Sequence, residues 1–125
     1  MSLERCSLNQ ATIKRADMST AIEVTAKSGI PAIGLWRDRV AEHGARRTRD
    51  TVRAAGLRVS SLCRGGYFTS PEGPGRRREL DDNRRAVEEA AELDAEVLSL
   101  LAGAAPECDI DATRAMVEEG IEQII

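Results

Sequence analysis

The sequence has no surplus of positive charge. Its net charge is −3 and its pI about 5.3, so nothing in the balance calls for nucleic acid or an anionic membrane surface as a partner. Long apolar runs are missing as well; none approaches the roughly 20 residues that span a bilayer. The opening Met1-Ser2-Leu3-Glu4-Arg5 lacks the apolar core of a secretory signal. The three cysteines, Cys6, Cys63 and Cys108, are odd in number and show no C-x-x-C spacing. That excludes a disulfide framework and a zinc ribbon, and the cytoplasm is the expected compartment. Cys6 and Cys63 fall in or beside expected strands, where a buried, reduced thiol is the usual state.

Histidine is down to His43, which cannot form a metal cluster by itself; a surface or helix-capping role competes with a catalytic one. No G-x-S-x-G elbow is present. Cys63 beside Arg64 has no sequence-evident base, and a structural thiol is the reading set against a nucleophile. Gly73-Pro74-Gly75-Arg76-Arg77-Arg78 lacks the G-x-x-x-x-G-K-[ST] pattern, and its proline removes a donor. Its three arginines read as a solvated helix start. Aromatics number three, Trp36, Tyr67 and Phe68, and all three fall just past expected strand ends.

What is present is a repeat. Ser28-Gly29-Ile30-Pro31-Ala32-Ile33-Gly34-Leu35 lies over Ala55-Gly56-Leu57-Arg58-Val59-Ser60-Ser61-Leu62, and more loosely over Leu93-Asp94-Ala95-Glu96-Val97-Leu98-Ser99-Leu100. A shorter copy is Arg5-Cys6-Ser7-Leu8. The closing leucines at 8, 35, 62 and 100 are 27, 27 and 38 residues apart. Such a step holds a strand, a helix and two short connections. Four units in series predict a parallel α/β sheet in one domain.

The first strand is expected over about Arg5 to Leu8. Asp17 caps a helix whose buried face is Met18, Ala21, Ile22 and Thr25. Gly29 ends that helix and Pro31 blocks continuation. After the second strand comes a short turn at Val40 to His43, then a helix over about Ala45 to Ala55 with Thr48 and Val52 inward. Gly56 closes it. The third strand, Arg58 to Leu62, leads into an irregular connection from Arg64 to Gly75, where Ser70-Pro71 offers a helical start. A helix from about Arg77 to Leu93 buries Leu80, Asn83, Val87, Ala90 and Ala91. Asp94 stands where the other units have glycine, the left-handed position. The fourth strand spans Glu96 to Leu101. Asp109 or Asp111 caps a last helix with Thr113, Val117, Ile121 and Ile124 on one face. The apolar Ile124-Ile125 pair that follows makes the chain look cut, with surface still to be covered.

Ligands of parallel α/β folds bind beyond the carboxyl ends of the strands. The leucine alignment places Asn9, Gln10, Trp36, Arg37, Arg64, Tyr67 and Phe68 there, with Asp38, Cys63 and several glycines. Aromatic faces would stack on sugar C–H surfaces while amides and guanidinium groups bind hydroxyls or an acidic group. The alternative is that Arg37 and Asp38 pair with each other and Trp36 is partly core. No carboxylate closes any of the four strands, so neither a catalytic base nor a metal ligand is assigned.

Ser7-Leu8-Asn9-Gln10-Ala11-Thr12-Ile13, Ile33-Gly34-Leu35-Trp36-Arg37-Asp38 and Ser61-Leu62-Cys63-Arg64-Gly65-Gly66-Tyr67-Phe68, with Leu80 to Ala86 in the third helix, resemble bacterial sugar phosphate isomerase/epimerase proteins of the xylose isomerase-like TIM barrel superfamily. The resemblance implies the first half of a (βα)₈ barrel, a (βα)₄ sheet in the order 1-2-3-4. A whole barrel takes about 250 residues. It also implies proton transfer next to a sugar carbonyl, assisted by a divalent metal of the Mn or Mg class. In the family the metal ligands and paired glutamates come from later strands, so this chain alone is expected to bind no metal and to be inactive. The resemblance extends to DNA-repair endonucleases of the superfamily, which the acidic charge disfavours. Two other readings stay open: a complete doubly wound binding domain, and two half barrels self-associating through open sheet edges.

Overall fold

The computed structural model describes residues 2–125. Four strands, β1 (Leu8–Asn9), β2 (Ala32–Trp36), β3 (Arg58–Gly66) and β4 (Leu98–Leu101), make one parallel sheet in the order β1-β2-β3-β4. The helices are α1 (Met18–Lys27), α2 (Arg37–His43), α3 (Ala45–Ala54), α4 (Pro74–Glu92) and α5 (Ile110–Glu122). A doubly wound domain would hold its first strand inside the sheet. Here β1 is an edge, which overturns that alternative. Among the described residues, no helix is long and apolar enough to cross a membrane.

Register shows how the repeat works. Leu35 pairs directly with Leu62, but Leu8 lies opposite Ile33, and Leu98, not Leu100, lies opposite Leu62. The outer strands are therefore displaced by two residues from the leucine alignment. An offset of two keeps every side chain on its own face, and stagger of this kind accompanies a sheet that curls towards a barrel. Ile33, Leu35, Val59 and Leu62 pack with Met18, Ile22, Val40, Val52 and Leu93 in the main core. The opposite face has two cross-strand rows of smaller or polar groups, Asn9–Gly34–Ser61 and Trp36–Cys63–Ser99.

The helix signals hold locally. Asp17 Oδ1 accepts from Thr20 N at 2.7 Å, and Met18, Ala21, Ile22 and Thr25 are the buried face of α1. Asp109, not Asp111, caps α5, accepting from Ala112 N at 2.9 Å. Gly29 and Gly56 sit at φ +74° and +73°, and Asp94 takes the same left-handed role at φ +58°.

Several expectations need correction: Ala91 of α4 is exposed, the turn expected at Val40 to His43 is part of α2, and β4 begins at Leu98, not Glu96. The first strand begins at Leu8, so Cys6 is exposed, not buried. β3 runs on to Gly66, because Gly65 and Gly66 pair with Leu100 and Leu101 past a bulge. α4 starts at Pro74; Ser70 instead binds Glu79, its N and Oγ donating to the carboxylate at 3.0 and 2.7 Å. Arg76 is not solvated but 3% exposed. It donates to Phe68 O at 2.8 Å and Met116 O at 3.1 Å, and pairs with Glu72 and Glu119. Carbonyls where α4, α5 and the exit of β3 meet need donors, and a guanidinium supplies several at once.

That junction contains a second core cluster of Phe68, Leu80 and Ile124, flanked by Val87, Leu100, Val117 and Ile121. Gly120 of α5 lies flat against Phe68: a Cβ there would sit 2.5 Å from the ring. Alanine in a helix normally gains about 1 kcal/mol over glycine, whereas overpacking costs about 1–3 kcal/mol. Gly120→Ala is therefore expected to destabilise the protein by about 1 kcal/mol in urea unfolding, reversing the usual sign. Phe68→Ala should cost about 3–5 kcal/mol.

Candidate functional site

The tips of β2 and β3 border a cleft of about 360 Å³ lined by Trp36, Arg37, Asp38, Cys63, Arg64, Gly66 and Asp82. A second hollow of about 270 Å³ lies on the β1 side, with Gln10, Lys14 and Arg39, and shares Trp36 and Asp38 with the first. Trp36 is thus the wall between them.

Two amides from the tip of β1 fix that wall. Asn9 Oδ1 accepts from the indole Nε1 of Trp36 at 2.9 Å and from Ala11 N at 2.9 Å, where it also caps the 3₁₀ turn Gln10–Ile13. Gln10, only 1% exposed, accepts from Trp36 N at 3.1 Å and places its Nε2 near Met18 Sδ. Both amides thus position the tryptophan with their carbonyl oxygens.

Arg37 is committed to the protein. Nε donates to Glu89 at 2.6 Å and the terminal nitrogens to Asp82 at 3.0 and 3.2 Å, to Glu89 at 3.0 Å and to Arg64 O at 3.3 Å. These five bonds match the five N–H donors of a guanidinium. The carboxylate partners lie on α4, not at the neighbouring Asp38. The Asp82 carboxyl is held below its ordinary pKa, chiefly by its hydrogen bonds from Arg37 against the opposing effect of burial, and Arg37 is raised, first by its hydrogen bonds to Glu89 and then by those to Asp82.

Asn83, fully buried on α4, holds the tip of β3. Its Oδ1 accepts from Gly66 N and its Nδ2 donates to Tyr67 O at 3.0 Å. Beyond it the chain divides the two aromatics. Tyr67 is exposed, with the Arg64 guanidinium 4.8 Å from its ring centroid. Phe68 turns the other way and is buried between α4 and α5. Expected at the pocket floor, it is a core residue, because the turn after Gly66 sends alternate side chains to opposite sides. His43, at the end of α2, keeps a buried Nε2 with no hydrogen-bond partner among the described residues; burial is the main cause of its lowered pKa.

The structure therefore brings together Trp36, Arg37 and Arg64 at one cleft, puts Asn9 and Gln10 behind it and Tyr67 beside it, and removes Phe68. Asp38, Asp82, Asn83 and Glu89 also shape the site. Asn83 had an inward helical position as its signal; the pairing of Asp82 and Glu89 with Arg37 had none. Among the described residues, no three histidine, cysteine, aspartate or glutamate side chains converge as a divalent metal requires.

Replacing Arg37 leaves Glu89 without its counter-charge and Asp82 with only the exposed Arg85. Arg37→Gln is expected to cost about 2 kcal/mol near pH 7 by denaturant unfolding, and Arg37→Lys to recover less than half, lacking the planar fork. Since Asp82 has a folded-state pKa below its unfolded value, the pair contributes above about pH 4 and fades as pH falls through the folded value. The gap between wild type and Arg37→Gln should therefore narrow below pH 4.

Comparison with known proteins agrees with this architecture. The model of the Xylose isomerase-like TIM barrel family matches residues 16–125. The chain is similar to the crystal structure of protein SMc04130 from Sinorhizobium meliloti 1021, with 47% identity and a TM-score of 0.90 over 98% of this chain and 46% of that one. D-psicose 3-epimerase, solved in the presence of D-fructose, shares the fold at 17% identity and a TM-score of 0.75, over 94% of this chain and 46% of its own. The probable 3-DHS dehydratase AsbF from Bacillus anthracis does so at 12% identity and a TM-score of 0.71, over 94% and 46% respectively. No curated protein matches the chain. It spans a little under half the length of these solved relatives, and four parallel strands in sequential order with tips on one rim are what half of an eight-stranded barrel contains: the chain belongs to the xylose isomerase-like TIM barrel family.

Proposed function

We propose that these residues form the substrate-pocket side of a sugar isomerase or epimerase that moves a proton next to a carbonyl. The observation that carries the reading is the cleft at the tips of β2 and β3, with an indole fixed in its wall and hydrogen-bonding side chains around it. Trp36 supplies a flat face for sugar C–H groups, while Asp38 and Arg64 offer an acceptor and a donor for hydroxyls or an acidic group. Such sites lie at the C-terminal face of barrel strands. The two structural relatives with named activities, an epimerase and a probable dehydratase, support small polyol-like substrates. The three free thiols suit a reducing cytoplasm.

Removing the proton needs a base, and stabilising the resulting enediolate needs an electrophile. The cleft contains neither in suitable form: Asp82 is neutralised by Arg37, and Asp38 is exposed. The 125 residues by themselves bind and orient; in this reading the reacting groups come from further strands of a full barrel, and the divalent metal with them.

The test is solvent deuterium incorporation at the carbon next to the carbonyl, followed by NMR with Mn²⁺ present, on a panel of ketopentoses and ketohexoses, free and phosphorylated. The 125 residues alone should exchange none. The same residues joined to the C-terminal half of the Sinorhizobium meliloti protein should exchange at least one. A folded joined protein that exchanges nothing would sink the proposal, as would turnover by the 125 residues alone at enzymatic rates of about 1 s⁻¹ or more.

A further inference from the structure

We propose that the ligand is a two-unit sugar, a glycoside with one ring in the cleft at the tips of β2 and β3 and the other in the hollow on the β1 side. The inference rests on the sugar-site reading above and narrows its substrate class. Three observations carry it: the pairing of the hollows, the fixed wall between them, and the unused polar groups on the β1 side. The hollows, of about 360 and 270 Å³, adjoin and share Trp36 and Asp38. Each stands near the bottom of the range for small-ligand sites, about 300 Å³, while the two joined fall well inside it. Trp36 has both polar hydrogens committed, its backbone N–H to Gln10 and its indole N–H to Asn9. The wall therefore keeps one position and offers ring surface, not hydrogen bonds, to whatever lies beside it.

The β1-side hollow has its own groups for the hydroxyls of a sugar ring. Gln10 is 1% exposed and uses its carbonyl oxygen on Trp36 N. An amide nitrogen carries two N–H donors, and among the described residues Gln10 Nε2 meets only the Met18 sulfur, at 3.6 Å. The Lys14 ammonium enters no ion pair or hydrogen bond among the described residues. Arg39 donates to Lys14 O at 2.8 Å and pairs with Glu42, which ties the end of the 3₁₀ turn to α2 and fixes that side of the hollow. Asp38 is exposed, common to both hollows, and likewise unpaired among the described residues. Its carboxylate can accept hydroxyls from either ring. The bond between the two rings thus passes the indole beside Asp38, with Gln10 and Lys14 as donors on one side and Arg64 on the other. A single ring meets one of these sets and leaves the other to solvent.

Trp36 is the only tryptophan and borders both hollows, so its emission reports on either. Titrations of the 125-residue protein, followed by emission and by calorimetry, would compare D-fructose with turanose, lactulose and isomaltulose, which carry a second ring on different hydroxyls of fructose. At least one disaccharide should bind about tenfold or more tightly than D-fructose. Ala11 is exposed and lines only the β1-side hollow of the two. Ala11→Phe, which fills that hollow, should bring the disaccharide within about threefold of D-fructose. Lys14→Ala, a truncation of an exposed side chain, should remove part of the advantage and guards against a folding artefact. Disaccharides that bind no more tightly than D-fructose, or an advantage that survives both substitutions, overturn the two-unit assignment while leaving the sugar site standing. Neither heat nor an emission change with any of the four sugars removes the sugar-site reading and this assignment together.

Discussion

One guanidinium ties the rim together. Arg37 leaves the end of β2, crosses the tip of β3 by way of the Arg64 carbonyl, and ends on two carboxylates of α4. Its side chain is 17% exposed, deep enough that solvent does not screen the contacts away and shallow enough that desolvation remains affordable. Parallel strands have no hairpins to fix their ends, and each tip here is followed by a different connection. Without a cross-link, the β2 and β3 exits would be set only by the core beneath them. Arg37 makes the cleft a defined shape.

The opposite side of Trp36 is held on the same logic by neutral groups. Asn9 and Gln10 close on the indole and on its backbone N–H. A residue that would otherwise be a mobile lip becomes a wall with both polar hydrogens committed. Its aromatic face is what remains for a ligand. In this way three successive strand tips, each supplied by a separate βα unit, are locked to one another before any ligand arrives, which lowers the ordering cost of binding.

Much of this fold was legible in the chain. The leucine repeat gave the strand count, the family resemblance implied the order 1-2-3-4, and Asp17, Gly29, Gly56 and Asp94 marked helix ends where they occur. These features are local: they depend on residues within a turn or two. What escaped reading was long-range. Arg37 meets Asp82 and Glu89 across 45 and 52 residues, and nothing near Arg37 distinguishes that outcome from pairing with Asp38. Phe68 and Tyr67 are adjacent, and only the path of the chain after Gly66 decides which of them faces the core. Arg76 looked like one of three solvated arginines until α5 packed beside it and offered carbonyls. The two-residue displacement of β1 and β4 was likewise invisible, because it preserves the pattern of faces.

α4 has one more consequence. Asp82, Asn83 and Glu89 all come from this single outer helix, and together they anchor the ends of both β2 and β3. A quarter-turn in its seating would drag both strand exits at once. Mutations that reseat α4 would thus move both strand exits together. The outline of the cleft is therefore set largely by a helix that contributes one residue, Asp82, to its lining.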